Sequence, residues 1–392
     1  MTFFRPLPIM MGTLLLLSAC RSQPDWTPVP DEPRAFVTTL GTDTIAVEVY
    51  TRETTNITGI HVDRIPYTKI TEYAVSFDDL GNTTSLDATI TVPATNPGGP
   101  APQSVAIRVA GDVATVTREG GQNPGTSEVS VPQGVILSLG RNDAASFVFE
   151  QVAMHLRNGE QINLLGASNA AVRANASGVI DADTVFMDYF GQQRKAWTDA
   201  QGQLLGVTGK GTTNKSETRR VAPFLVGEMA DRWAALDAAG SGLGTPSPGA
   251  TANATVDGAD IEIAYSQPAM RGREIWGGLV PNGEVWRTGA NAATHFTTSR
   301  DLMFGEHMLA AGTYTLWSLY QDGAYSLIVN AQTNQWGTAY DAAQDLFSVP
   351  MTSRTLNAPQ ERFTISIEDT DGGGNLLLTW DTLSWSVPFM VH

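Results

Sequence analysis

Apolar residues recur along this chain with a period of two far more often than with the period of a helix. In "TDTIAVEVYTR", Ile45, Val47 and Val49 alternate with polar neighbours, the pattern of a half-buried strand. "TKITEYAVSFDDLGNTTSLDATITV" predicts two more strands joined at Leu80-Gly81-Asn82. "ADTVFMDYFGQQRKAWTDAQGQLLGVTGKG" predicts three short ones, with turns at Gly191 and at Ala200-Gln201-Gly202. Two stretches break the alternation. Val148, Val152 and Leu156 follow one another at four-residue steps, which predicts a helix over about 143–158. Asn142 or Asp143 would cap it and Gly159 would stop it. Leu225, Met229, Trp233 and Leu236 set out one face of a second helix that ends at Gly240. Residues 35–240 therefore read as a curved antiparallel β-meander carrying one or two helices, with the first helix laid on the sheet.

Glycine, serine and proline without periodic apolar residues make 241–253 a linker. Beyond it, 254–392 is almost pure β. Ile261, Ile263 and Tyr265 alternate. "GTYTLWSLYQDGAYSLIVNAQ" holds two strands around Asp322-Gly323, a pair suited to a tight hairpin. Short strands at turn-like intervals predict a β-sandwich or jelly-roll-like domain, with helix only around "DAAQDLF". The whole chain is expected to be mainly β.

The first residues change the picture. Arg5 is the sole charge of a leader whose apolar run closes in Leu17-Ser18-Ala19-Cys20. That layout predicts a lipoprotein signal peptide over 1–20, with Cys20 as the lipidated residue. Cys20 is the single cysteine, so no disulfide can form within one chain. Residues 21–34 are a proline-rich tether. The protein is expected to be exported and membrane-anchored in a bacterial cell envelope; Arg21 after the cysteine favours the outer membrane over the inner. The formal net charge is −16, and 251–392 holds fifteen acidic residues against six arginines and no lysine, so no basic surface awaits nucleic acid.

Motifs for familiar chemistry are missing. There is no Gly-x-Ser-x-Gly elbow, no serine three residues before any of the four lysines, no dinucleotide fingerprint, and "TGKGTT" fails the phosphate-loop pattern. The five histidines never come at metal spacing, and no metal or cofactor is expected. Asp369, Asp371 and Asn375 read as a glycine-rich hairpin turn rather than a calcium loop. Of the tryptophans, Trp317 and Trp380 sit inside strands and belong to the core, whereas Trp276 and Trp336 stand where a surface cleft would want them. The densest polar cluster is "YSQPAMRGREIWGGLVPNGEVWRTGANAATHF". Its arginines, Arg271, Arg273 and Arg287, suit bidentate anion contacts; Asn291 both donates and accepts; His295 is the residue to move a proton near neutral pH. The candidate ligand-binding set is Arg273, Trp286, Arg287, Thr288, Asn291, His295 and Trp336. The competing reading is a well-made corner, with Arg287 paired to a carboxylate and Asn291 satisfying its own turn.

These residues also carry a resemblance. The blocks Tyr265-Ser266-x-Pro268, Gly272-Arg273, Trp286-Arg287-Thr288-Gly289-Ala290-Asn291 and Gln335-Trp336-Gly337 resemble, in order, those of the bacterial family known as domain of unknown function 2911. The resemblance covers 255–390. It departs at Ala292, where the family pattern often has glutamate, so an acid–base role there is absent. The first body looks like a β-meander companion found ahead of this domain in environmental bacteria. Neither resemblance implies an activity. The expected function is a non-catalytic one: binding a small or lipid-like ligand, or a partner. The alternatives are an envelope hydrolase using His295 with Arg273 or Arg287 as anion clamp, and a structural assembly module of the envelope.

Overall fold

The computed structural model describes residues 32–94, 100–121, 123–139, 146–157, 159–168, 170–189, 192–209 and 215–392. The leader, Cys20, most of the tether, and the helix caps expected at Asn142 or Asp143 lie outside them. The described chain is mainly β. Thirteen of its strands form one antiparallel sheet. In spatial order they are Ser177–Val179, Thr184–Tyr189, Gln192–Thr198, Leu204–Thr208, Ser216–Val221, Arg34–Leu40, Asp43–Arg52, Asn56–Asp63, Lys69–Phe77, Thr83–Thr91, Gln103–Ala110, Val113–Glu119 and Gly125–Ser130. The expected meander is present, with one addition: Arg34–Leu40 pairs with Ser216–Val221, which joins two meanders edge to edge.

This sheet curls around helix α1, Ser146–Arg157. Val185 and Met187 from one end and Ile107 and Val116 from the other share a single core with Val148 and Val152 of the helix. Ten of the helix's twelve residues are buried, so it is wrapped rather than laid on a surface. The four-residue apolar steps account for one stripe only. Glu150, Gln151 and His155 are also interior. Polar groups inside need partners, and strand residues supply them. Glu150 is held by Arg34, by Tyr50 Oη at 3.0 Å, by the Leu204 N–H at 3.2 Å and by Arg52 at 3.6 Å. Glu48 accepts from Tyr73 Oη at 2.5 Å and from the Ser146 N–H at 2.6 Å, taking one orphan donor of the helix N-terminus. The helix ends as expected at Gly159, which adopts φ 72° and donates to Leu156 O.

Helix α2, Val226–Ala238, lies on the outer face of the same sheet. Val226, Ala230 and Trp233 pack on Val47 and Val62. The predicted face needs one correction: Leu225 is 71 % exposed and precedes the helix, and Val226 takes the buried position.

A second sheet follows. Its path runs Gly249–Val256, Ala259–Ser266, Thr294–Thr298, Gly312–Gln321, Ala324–Asn330, Asp345–Thr370, Gly373–Val391, Leu302–Phe304 and His307–Leu309, with Val285–Trp286 added beside Gly312–Gln321. The long strand Asp345–Thr370 belongs to two halves. Its residues 345–351 pair with Ala324–Asn330, and 352–370 pair with Gly373–Val391. The two halves fold over one core in which Trp286 stacks on Trp380 at 5.8 Å and Phe363 meets both edge-on. Asp322 and Gly323, at φ 51° and 85°, make the tight hairpin turn. "DAAQDLF" gives only a short 3-10 turn, Ala342–Gln344, before the chain extends again. The stretch expected as linker is shorter than its composition suggests, because Gly249–Val256 pairs with Ala259–Ser266 as a full strand.

Candidate functional site

The corner "WRTGANAATHF" connects the two-residue strand Val285–Trp286 to Thr294–Thr298. Trp286 turns inward to the core. Thr288 and Asn291 both take positive φ, 53° and 61°, and Gly289 between them takes 155°. Thr288 is wholly buried; its Oγ1 is 2.9 Å from Ser318 Oγ, and its carbonyl accepts from Thr294 Oγ1 at 2.7 Å. Thr288 is therefore a fastening, not a ligand contact.

Asn291 is spent on the chain itself. Its Nδ2 donates to Ser247 O at 3.2 Å and Ser266 Oγ at 3.4 Å, and its carbonyl accepts from the Gly337 N–H at 2.9 Å. His295 is committed at both ring nitrogens. Nδ1 lies 2.9 Å from Ala293 O, a pure acceptor, so Nδ1 carries the proton and donates. Nε2 then accepts from the Asn334 N–H at 2.9 Å. The expectation that His295 transfers a proton is not met, because its lone pair and its N–H are both occupied by backbone.

The three arginines do not converge. Arg271 reaches out of its own sheet to Asp43, at the turn between the first two strands of the chain, and donates to Leu243 O at 3.3 Å. Arg273 gives Nε to Met270 O at 3.0 Å and an Nη to Ala269 O at 2.6 Å. Burial and the neighbouring Arg271 charge, opposed by Glu361 and Asp43, bring its guanidinium down to about 10. Arg273 is spent on two backbone carbonyls and is not placed as an anion clamp, whereas Arg287 makes a single long bond. Asp43 was not readable as a partner because it stands 228 positions from Arg271 in sequence.

Arg287 differs from both. It is half-buried, and burial lowers its guanidinium affinity for protons with no carboxylate to offset it. Its one internal bond is long, 3.4 Å to Asn291 O. Its stem lies across Gly337, where a Cβ would stand 2.4 Å from Arg287 Cδ, so the glycine is required by close approach rather than by dihedral angle. The preceding residue, Trp336, bridges to Ala292 and is 58 % exposed. Of the two tryptophans expected in a cleft, Trp336 faces solvent. Trp276 instead packs among Tyr320, Tyr325 and Trp385 at 5.6–5.9 Å, because its glycine neighbours turn the chain inward. Trp317 and Trp380 are core, each 1 % exposed.

The candidate set thus reduces to Arg287 and Trp336, held by a frame of Thr288, Asn291, His295 and Gly337. Thr288 and Gly337 of that frame are buried and His295 and Asn291 are tied to backbone, while Arg287 is half-buried and Trp336 exposed. An open recess of about 1000 Å³ lies elsewhere, between the start of α2 and the outer face of the first sheet, lined by Ile60, Glu72, Leu225 and Glu228. Asp369 and Asn375 sit on strands flanking a turn at Asp371-Gly372, as a hairpin requires. Among the described residues no three His, Cys, Asp or Glu side chains gather to hold a metal.

No curated protein matches the chain. Residues 247–389, which contain the entire corner, match the family described as "Protein of unknown function (DUF2911)".

Proposed function

We propose that this is a non-catalytic binding protein, anchored to a bacterial envelope membrane through Cys20, whose second sheet captures an anionic group at Arg287 beside Trp336. The observation that carries the reading is Arg287 itself. A guanidinium taken half out of water without a carboxylate pays a desolvation cost that a carboxylate or phosphate ligand would offset through paired, charge-assisted bonds. The neighbouring exposed indole offers a flat apolar surface for the rest of such a ligand. The commitment of His295 to two backbone groups supports binding over hydrolysis, since a general base needs a free lone pair.

The test is a titration of carboxylate- and phosphate-bearing ligands followed by tryptophan fluorescence. Arg287→Ala is expected to weaken any ligand found by about tenfold or more, the worth of a charge-assisted pair. Its melting temperature is expected to change by less than about 3 °C, because the side chain gives up only one long bond. Ligand binding that is indifferent to Arg287→Ala would overturn the reading. The anchor has its own test. Cys20→Ser is expected to abolish labelling by radioactive palmitate and move the chain from the membrane to the soluble fraction; unchanged membrane association would remove the anchor.

A further inference from the structure

Three methionines from three adjacent strands line up on the solvent face of the second sheet. Met303 lies on Leu302–Phe304, Met308 on the edge strand His307–Leu309, and Met390 near the end of Gly373–Val391. The register sets Met303 directly opposite Met308 on one side and Met390 on the other. Directly opposed residues share a face, with Cβ atoms about 5 Å apart. That face is the outer one. Leu302, Phe304, Leu309 and Phe389, which alternate with the methionines, are buried, whereas Met308 and Met390 are 50 % and 59 % exposed. The ladder continues by one residue, where the His392 N–H donates to Asp301 O at 2.9 Å. His392 therefore stands two residues from Met390, on its side of the strand.

A sheet edge is ordinarily protected by charge, and a row of exposed thioethers does not serve that end. What the row offers is soft, polarisable, uncharged sulfur on side chains with three rotatable bonds, so the outer two sulfurs can lean towards the central one. Thioethers discriminate sharply among cations. They are poor ligands for calcium or magnesium, which want oxygen, and good ligands for Cu(I). Imidazole is a compatible further donor. We infer that Met303, Met308 and Met390 form a surface site for Cu(I), with His392 as a fourth donor. The site shares no residue with the Arg287 corner and is independent of the function proposed there.

The test uses the full chain carrying Cys20→Ser, which removes the one thiol that would compete. The probe is Ag(I), a soft monovalent ion that does not change oxidation state. With methionine methyls carbon-13 labelled, the resonances of Met303, Met308 and Met390 are expected to shift together and saturate at one Ag(I) per chain, while those of Met270 and Met351 stay in place. Met308→Leu, which conserves volume, is expected to weaken binding at least tenfold, and leucine at all three positions to abolish the Ag(I) binding heat in calorimetry without altering the melting temperature. His392→Ala is expected to weaken binding severalfold. Equal Ag(I) binding by the triple leucine chain, or three methyl groups that fail to move as a set, would overturn the site; binding unchanged in His392→Ala would strike that residue from it.

Discussion

Thr288 is a β-branched residue in a left-handed conformation, φ 53°, which such side chains avoid. It persists because Ser318 and Thr294 bind both its ends in a fully buried place. Strain of that kind is found where a neighbouring group must be presented in one orientation, and the neighbour is Arg287. At this scale the sequence was half legible. The resemblance named the block that forms the corner, and the fold brings Trp336 and Gly337 of a later block beside it. It could not separate fastening residues from free ones, since Thr288, Asn291 and His295 carry the same polar groups whether they face a ligand or their own backbone. What decides between the two is a handful of hydrogen bonds, and those to Ser247, Ser266, Ser318 and Asn334 join residues 25 or more positions apart.

At the scale of elements, the first sheet depends on an ionic group in its interior. Glu150 serves Arg34 and Arg52 together, yet the two respond in opposite directions. For Arg34 burial lowers proton affinity, and direct contact with Glu150 more than restores it. For Arg52, 3.6 Å away, burial prevails. Removing the carboxylate leaves two buried cations. Glu150→Ala is therefore expected to destabilise the first sheet by about 3–5 kcal/mol. Glu150→Gln, which still accepts from Tyr50 and Leu204, is expected to cost less. Urea unfolding measures both, and equal stability of Glu150→Ala and wild type would contradict the assignment. The helix was legible from Val148, Val152 and Leu156; its wrapping was not. The apolar steps place the helix on the sheet but say nothing of Glu150, Gln151 and His155, and nothing nearby in sequence announces that Arg34, Glu48 and Arg52 lie inside with them. The strand at Gly249–Val256 escaped for the converse reason: small residues can pair in a sheet without any apolar period to show it.

At the scale of the molecule, the two larger sheets meet at a clasp. Arg271 pairs with Asp43, its carbonyl accepts from the Thr42 N–H at 3.0 Å, and its own N–H donates to Glu361 Oε1 at 2.9 Å. Gly41 allows the approach, since a Cβ there would fall 2.0 Å from Arg271 O. The same arginine holds Leu243 O, and Asn291 of the family blocks holds Ser247 O, so the segment between α2 and the second sheet is pinned at two points. Arg271→Ala is expected to weaken this pinning by about 1 kcal/mol, which is roughly fivefold in local opening. Limited proteolysis within 241–248 would report it as faster cleavage; an unchanged rate would show that the clasp does not restrain the segment. Period-two patterning conveyed the mainly β architecture, but it carried no trace of a contact linking residue 43 to residue 271.

Binding without catalysis at the Arg287 corner rests most directly on the state of one imidazole. The nitrogen-15 shifts of the His295 ring, measured at pH 8, distinguish its tautomers and the partners of each nitrogen. The account predicts a single Nδ1–H tautomer whose proton exchanges slowly with solvent, donated to Ala293 O, with Nε2 accepting from Asn334. An Nε2–H tautomer would break the bond from Asn334 and leave a lone pair on Nδ1, and would contradict the non-catalytic reading.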